Sequence, residues 1–292
     1  MLFLVWVLIF ILGLALIALT KPVLGFGALA VGVITAAVEA FRRRPKDTSP
    51  AAGPTAAAVA PGSRGLYTAG GIAWLLVGLT FILIIVESVL TGPSLLHLLT
   101  SGSSISGADL QHIADQAPLL RATFFTGVSS DVFFVVAALA LYVALKGLNR
   151  DAMLVALAFL GLYIVLDLAV TGLNFGPLVT ISQAYATATD PAQKAAYLAV
   201  ATYSHAFSGL SQPISSGILS LGILIASLVM RKGIFSKLVA NLGVLTALVG
   251  IAYGVSVVLP ALGIFVGPSA EDETIWFLLV GYKLIRLGET SA

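Results

Sequence analysis

Long apolar runs separated by short polar breaks set the pattern of this chain. Runs at 2–19, 23–41, 66–91, 119–146, 151–174, 197–230, 236–262 and 271–288 are each long enough for a helix to cross ~30 Å of hydrocarbon. The pattern predicts an all-α, polytopic integral membrane bundle of about eight transmembrane helices. Residues 47–65, an Ala/Pro/Gly tract without periodicity, read as a flexible linker with a mean span of roughly 20–25 Å. It divides an N-terminal transmembrane hairpin (1–46) from a six-helix membrane domain (66–292). Gly25, Ala28 and Gly32 in the hairpin allow close helix contact.

Boundary signals refine the elements. Ser106-x-x-Asp109 reads as a capping box opening a short helix between spans three and four. On that helix Leu110, Ile113 and Ala114 would face the membrane, and Asp109, His112 and Asp115 the other way. Such an acidic and imidazole face can hold a divalent cation, but it is far more often a solvated surface, and no metal site is assigned. Asp190 is a good N-cap and Pro191 suits a first helical position. A helix from Pro191 to Met230 would run ~60 Å, longer than a whole bilayer, so span six projects outward or bends at Pro213. Ser269-x-x-Asp272 after Pro268 reads as the start of span eight. Gly243, Ala247, Gly250 and Gly254 form a small-residue seam on span seven.

Composition agrees with a bilayer as solvent: 59% of the 292 residues are hydrophobic, only 10% are charged, and the mean hydropathy is +1.06. Soluble domains carry about a quarter charged residues. The first run lacks a basic leader and is followed at once by a second span, so it reads as a retained helix rather than a cleaved signal. With no cysteine, disulfides, thiolate metal sites and cysteine nucleophiles are excluded.

The net charge of +2 is explained by placement. Arg42, Arg43, Arg44, Lys46, Arg64, Lys146, Arg150, Arg231, Lys232, Lys237, Lys283 and Arg286 fall on one side of the span assignment, and Lys21, Arg121 and Lys194 on the other. The positive-inside rule then puts both termini in the cytoplasm. These basic residues are orientation signals, and nucleic acid is not an expected partner. The bilayer is, and so is another membrane subunit docking on residues 1–46.

Two acids stand where lipid should forbid them. Asp131 lies 15 residues before Lys146 and Asp167 lies 16 residues after Asp151, so both sit about 22–24 Å from the same turn. Polar residues recur around them at helical spacing: Thr123, Gly127 and Asp131 on span four, and Tyr163, Asp167, Thr171 and Asn174 on span five. Ser204, Ser208, Ser211 and Ser215 follow on span six, flanked by His205 and Gln212. Each set keeps to one helical face. Glu87 lies a turn or two nearer the outside. The inner halves of the same spans are almost purely apolar, which implies a polar pocket open to the outside and closed below.

A carboxylate at the bilayer centre costs about 2.5–3.5 kcal/mol on insertion scales. Hydrogen bonds between membrane helices average only ~0.6 kcal/mol, so helix gluing compensates the two acids poorly. If they face each other, one shared proton follows. The candidate substrate or proton pocket is therefore Asp131, Asp167, Gln212, Ser215, Tyr163 and His205. No catalytic set or cofactor is expected. HExxH, G-x-S-x-G and Walker A motifs are missing from the sequence. "SSDVF" and "VLDLA" do not match the motifs of intramembrane aspartyl proteases, and one in-span histidine cannot ligate a b-type haem from both sides. Trp6, Trp74 and Trp276 read as packing or interfacial residues.

From residue 105 onward, "ISGADLQHIADQAPLLRATFFTGVSSDVFFVVAALALYVALKGLNRDAMLVALAF" is similar in order and spacing to the prokaryotic six-helix membrane proteins of domain-of-unknown-function family 4386. The shared pattern comprises Arg121 at a helix entrance, Asp131 in mid-helix and the Leu145, Lys146, Asn149, Arg150 turn. "GIFSKLVANLGVLTALVGIAYG" and "WFLLVGYKLIRLG" resemble that family's last two helices. The resemblance covers about 66–288 and implies a six-helix fold in a prokaryotic cell membrane. It transfers no activity. The hairpin and linker are additional to it, and Asp167 has no place in its pattern. Three functions remain open: a permease-like, proton- or cation-linked protein with an outward-facing pocket, an accessory subunit of a membrane complex, or an enzyme acting on a lipid.

Overall fold

The computed structural model describes residues 64–91, 104–170 and 175–290. The N-terminal hairpin, residues 47–63 of the linker, Thr171 and Asn174 lie outside the described residues, as does the side chain of Glu87; Arg64 and Gly65, read as the end of the linker, are already helical. Every described element is helical: α1 (Arg64–Thr91), α2 (Gly107–Asp115), α3 (Ala117–Leu145), α4 (Arg150–Val170), α5 (Gly176–Thr187), α6 (Pro191–Met230), α7 (Lys237–Val255), a 3-10 turn (Pro260–Phe265) and α8 (Val266–Thr290). Five of these, α1, α3, α4, α6 and α7, are long and apolar enough to cross a membrane. Their outward faces carry exposed Val132, Leu139, Leu154, Val165 and Leu248, a surface that water would penalise and lipid would not.

Six helices close into a ring. α1 packs on α3, α3 on α4, α4 on α6, α6 on α7, α7 on α8, and α8 returns to α1. Neighbours in sequence are thus neighbours in space, and short turns make them antiparallel. The basic residues of the turns gather at one end, called here the basic end. The ring closes tightly because α1 and α8 meet through glycines: a Cβ on Gly281 would fall 2.8 Å from the Gly71 carbonyl oxygen. Aromatic rings fill the middle. Trp74 stacks edge-on against Phe134 and Trp276 at 5.0 and 5.5 Å, and Phe134 meets Tyr163 at 5.4 Å and Phe277 at 5.5 Å. Trp74 and Trp276 are wholly buried, so they are core rather than interfacial residues.

A cap covers the opposite end. The Ser106 box forms as predicted, with the Ser106 N–H donating to Asp109 Oδ2 at 2.8 Å and the Asp109 N–H to Ser106 Oγ at 3.3 Å. Leu110 and Ile113 do not face the membrane as expected: they are buried in a small core with Leu120, Leu178, Val179 and Ala201. The difference comes from α5, a helix the sequence reading lacks, which packs on α2 and covers that face with protein.

Asp190 caps α6 through the Ala192 N–H at 3.1 Å, and α6 runs its full 40 residues through Pro213. Span seven ends at Val255 rather than 262, because Pro260 cannot continue an α-helix and opens the 3-10 turn instead. Nor is α8 capped at Ser269. The helix starts at Val266, and Ser269 Oγ donates to the Val266 carbonyl at 3.0 Å. Gly281→Val, whose side chain would meet backbone of α1, should lower stability by about 1–3 kcal/mol. Gly161→Ala, with open space around it, should not. Thermal unfolding in detergent reads both.

Candidate functional site

The ring brings acids from three helices to one level, one turn toward the cap from the aromatic layer. Asp131 on α3 is 2% exposed, and Asp167 on α4 is half-buried. Phe134 against Tyr163 sets the antiparallel register of α3 and α4, and the next turn along each helix carries the two aspartates. Their carboxyl groups are close enough to interact with one another. An ionised carboxylate only accepts hydrogen bonds, so a hydrogen bond between the two would need a proton on one of them.

Glu273 on α8 supplies the third acid. It is 4% exposed and lies close enough to Asp167 and Asp272 to interact with both electrostatically. Tyr163, buried between α3 and α4, is within the same range of Asp167, Asp131 and Glu273. Tyr253 on α7 approaches Glu273 from the other side. The described lysines and arginines sit toward the helix ends. The acids do not form a cage: among the described residues no group of three His, Cys, Asp or Glu side chains is placed to hold a metal ion.

Half of the predicted pocket is thus assembled. Asp131, Asp167 and Tyr163 meet as expected. Ser215 is at the same level as Asp167, because Gly222 packs on Leu160 and seven residues further along each antiparallel helix stand Ser215 and Asp167. Its hydroxyl is used locally, donating to the Gln212 carbonyl at 2.9 Å, while Gln212 is half-buried. His205 is buried ten residues further along α6, ~15 Å nearer the cap, and does not join the acids.

Three hydroxyls of the serine stripe are bonded within their own helix. Ser208 donates to the Ser204 carbonyl at 3.1 Å and Ser211 to the Phe207 carbonyl at 2.8 Å. On α3, Thr123 likewise donates to the Leu119 carbonyl at 3.2 Å. A hydroxyl bonded to its own helix is satisfied without a pocket. Two shallow crevices do exist away from the acids. One lies at the basic end beside Asn149, Leu228, Arg231 and Lys232, and the other at the cap end beside Arg121, Phe125 and Thr180.

Glu273 was missed because Glu271-Asp272-Glu273 resembles the acidic first turn of a helix. Spacing does reveal it: Glu273, Trp276, Val280 and Leu284 share one helical face, and all four are buried.

No family model matches this chain, and the searches of curated proteins and of solved structures returned no match.

A hydrogen bond between the two aspartates is the expectation, and substitution tests it. Asp131→Asn keeps a donor for Asp167 and should leave thermal stability within about 1 kcal/mol of the wild type. Asp131→Ala removes the partner and should cost about 1–3 kcal/mol, read by thermal unfolding in detergent.

Proposed function

We propose that this is a proton-binding, permease-like integral membrane protein whose working groups are Asp131 and Asp167. One observation carries the reading: two carboxyl groups from adjacent helices come within interaction range in the interior of an apolar ring, an arrangement that favours one shared proton. Structural gluing needs no acid there, since an Asn–Asn or Ser–Asn pair would hold the helices without the charge penalty. A titrating pair, by contrast, can load and release a proton in a medium where ions are otherwise excluded. The partial exposure of Asp167 supports entry from the cap side, with Asp131 as the buried acceptor. Tyr163, in range of both acids, supports a role in orienting the proton between them.

The remaining features of the reading follow the same proposal. The positive-inside pattern supports eight spans with both termini cytoplasmic, which makes the cap extracytoplasmic. The resemblance to the six-helix family supports a prokaryotic cell membrane. The ring of six consecutive helices is compatible with that family's six-helix plan.

Purified protein in liposomes with an internal pH-sensitive dye should show proton uptake under an imposed gradient. Asp131→Asn should lower that rate at least about tenfold while inserting normally. Equal rates in wild type, Asp131→Asn and empty liposomes would sink the proposal.

A further inference from the structure

The crevice at the basic end lies away from the acids and has a volume of about 470 Å³. It opens where the first turn of α4 meets the last turns of α6, two helices that pack on one another. Its walls are apolar: Ala152 from α4, and Ile225, Leu228 and Val229 from α6. Its mouth is polar, formed by Asn149, Arg231 and Lys232. Ile225, Leu228, Val229 and Lys232 follow helical spacing, so the groove runs about 10 Å along α6, from the cations toward the apolar middle of the bundle.

The mouth is electropositive. Among the described residues no carboxylate lies in salt-bridge range of Arg231 or Lys232, and both are exposed. The last carbonyls of α6 are already occupied: those of Ser227, Val229 and Met230 accept from the N–H groups of Arg231, Lys232 and Gly233 at 3.2, 3.0 and 3.1 Å. On the α4 side, Asn149 Oδ1 accepts from the Ala152 N–H at 3.1 Å. That bond fixes the carboxamide and leaves its NH2 group as a donor. The N-terminus of α4 adds a positive partial charge beside it. Asp151, the acid of that turn, is exposed and does not line the crevice. Leu148 packs against Gly233, which ties the two turns together and keeps amide and cations at one opening.

We propose that this crevice binds one anionic phospholipid of the leaflet at the basic end. Its phosphate sits on Arg231, Lys232 and Asn149, and an acyl chain lies along Ala152, Ile225 and Leu228. The proposal needs the protein to be in a membrane but is independent of the proton-binding reading. A soluble anion would use the mouth and leave the apolar walls in water. A zwitterionic lipid would cover the walls but bring a further cation to a mouth that already holds two. An acidic headgroup on acyl chains satisfies both parts, and basic pockets between membrane helices take acidic headgroups for the same reason. The guanidinium of Arg231 suits a phosphate in particular, since it can donate two parallel hydrogen bonds. Orientation signalling explains positive charge at this end of the molecule, but not its placement over an apolar groove.

Native mass spectrometry of the full chain in detergent tests the site by titration with dioleoyl phosphatidylglycerol or dioleoyl phosphatidylcholine. Each basic residue near an acidic headgroup is worth about a fivefold preference, so wild type should hold phosphatidylglycerol at least about tenfold more tightly. The Arg231→Gln, Lys232→Gln pair should lose that preference. A Lys146→Gln, Lys237→Gln pair, at the same end but off the crevice, should keep it to within about twofold. Ala152→Leu fills the groove with every charge in place and should weaken binding of both lipids. Inorganic phosphate should displace no more lipid than chloride of equal ionic strength. Melting temperatures are checked for each variant.

If the Arg231→Gln, Lys232→Gln pair binds phosphatidylglycerol as wild type does, or the off-crevice pair loses as much, the charge acts as a diffuse surface and the site is overturned. If phosphate displaces the lipid where chloride does not, or Ala152→Leu binds phosphatidylglycerol unchanged, no acyl chain occupies the groove and the lipid assignment is overturned.

Discussion

The approach of two carboxyl groups, Asp131 and Asp167, constrains the rest of this molecule. Acids this close favour sharing a proton, and neither is at home in lipid unless protein surrounds it. The closed ring of six helices meets the second condition, and the aromatic layer of Trp74, Phe134, Tyr163, Trp276 and Phe277 lies between the site and the basic end. The cap of α2 and α5 lies over the other opening. Ring, layer and cap are different elements serving one requirement: removing lipid from a pair of acids.

The seam of α6, α7 and α8 carries polar atoms of another kind. A buried polar atom without a partner costs about 1–3 kcal/mol, and native proteins retain few of them. Among the described residues Ser220, Ser227, Tyr253, Glu273 and Trp276 each contribute one at this interface, and Trp74, Asp131, Glu271 and Asp272 contribute others elsewhere. Helix packing does not require the two serine hydroxyls: Gly243, Gly250 and Gly254 already let α7 approach closely, and alanine in place of either serine would keep the van der Waals contact.

How much of this was legible in the residues depends on the kind of information each feature carries. Apolar runs and turns gave the long helices, because in lipid the backbone must satisfy itself within each helix; α5 was not read at all, and span seven was drawn seven residues past Val255. The level of Asp131 and Asp167 followed from counting rise per residue away from a shared turn, and the structure brings them within interaction range. The serine stripe was legible only in part. Spacing shows which face a hydroxyl occupies but not whether it is already bonded to its own helix, and Ser208, Ser211 and Ser215 are. The face of α2 misled for another reason: Leu110 and Ile113 need an apolar cover, and periodicity cannot distinguish lipid from α5. The orphaned atoms of Ser220 and Ser227 depend on what α7 and α8 place opposite them, and that is information about tertiary packing.

Helix α8 shows the same limit most clearly. By composition it does not qualify as a membrane span: it opens with Glu271, Asp272 and Glu273 and carries Lys283 and Arg286 further on. An acid at the bilayer centre costs about 2.5–3.5 kcal/mol on insertion scales, so α8 alone has little reason to enter lipid. Yet it carries two wholly buried aromatics of the core, Trp276 and Phe277, and its Gly281 and Gly288 fit against α1 at Gly71 and Thr68. The helix that completes the ring is thus held by its neighbours rather than by the bilayer. A helix held in this way can keep a carboxyl group in the interior, because burying Trp276, Phe277 and Val280 against α1 and α3 offsets the penalty.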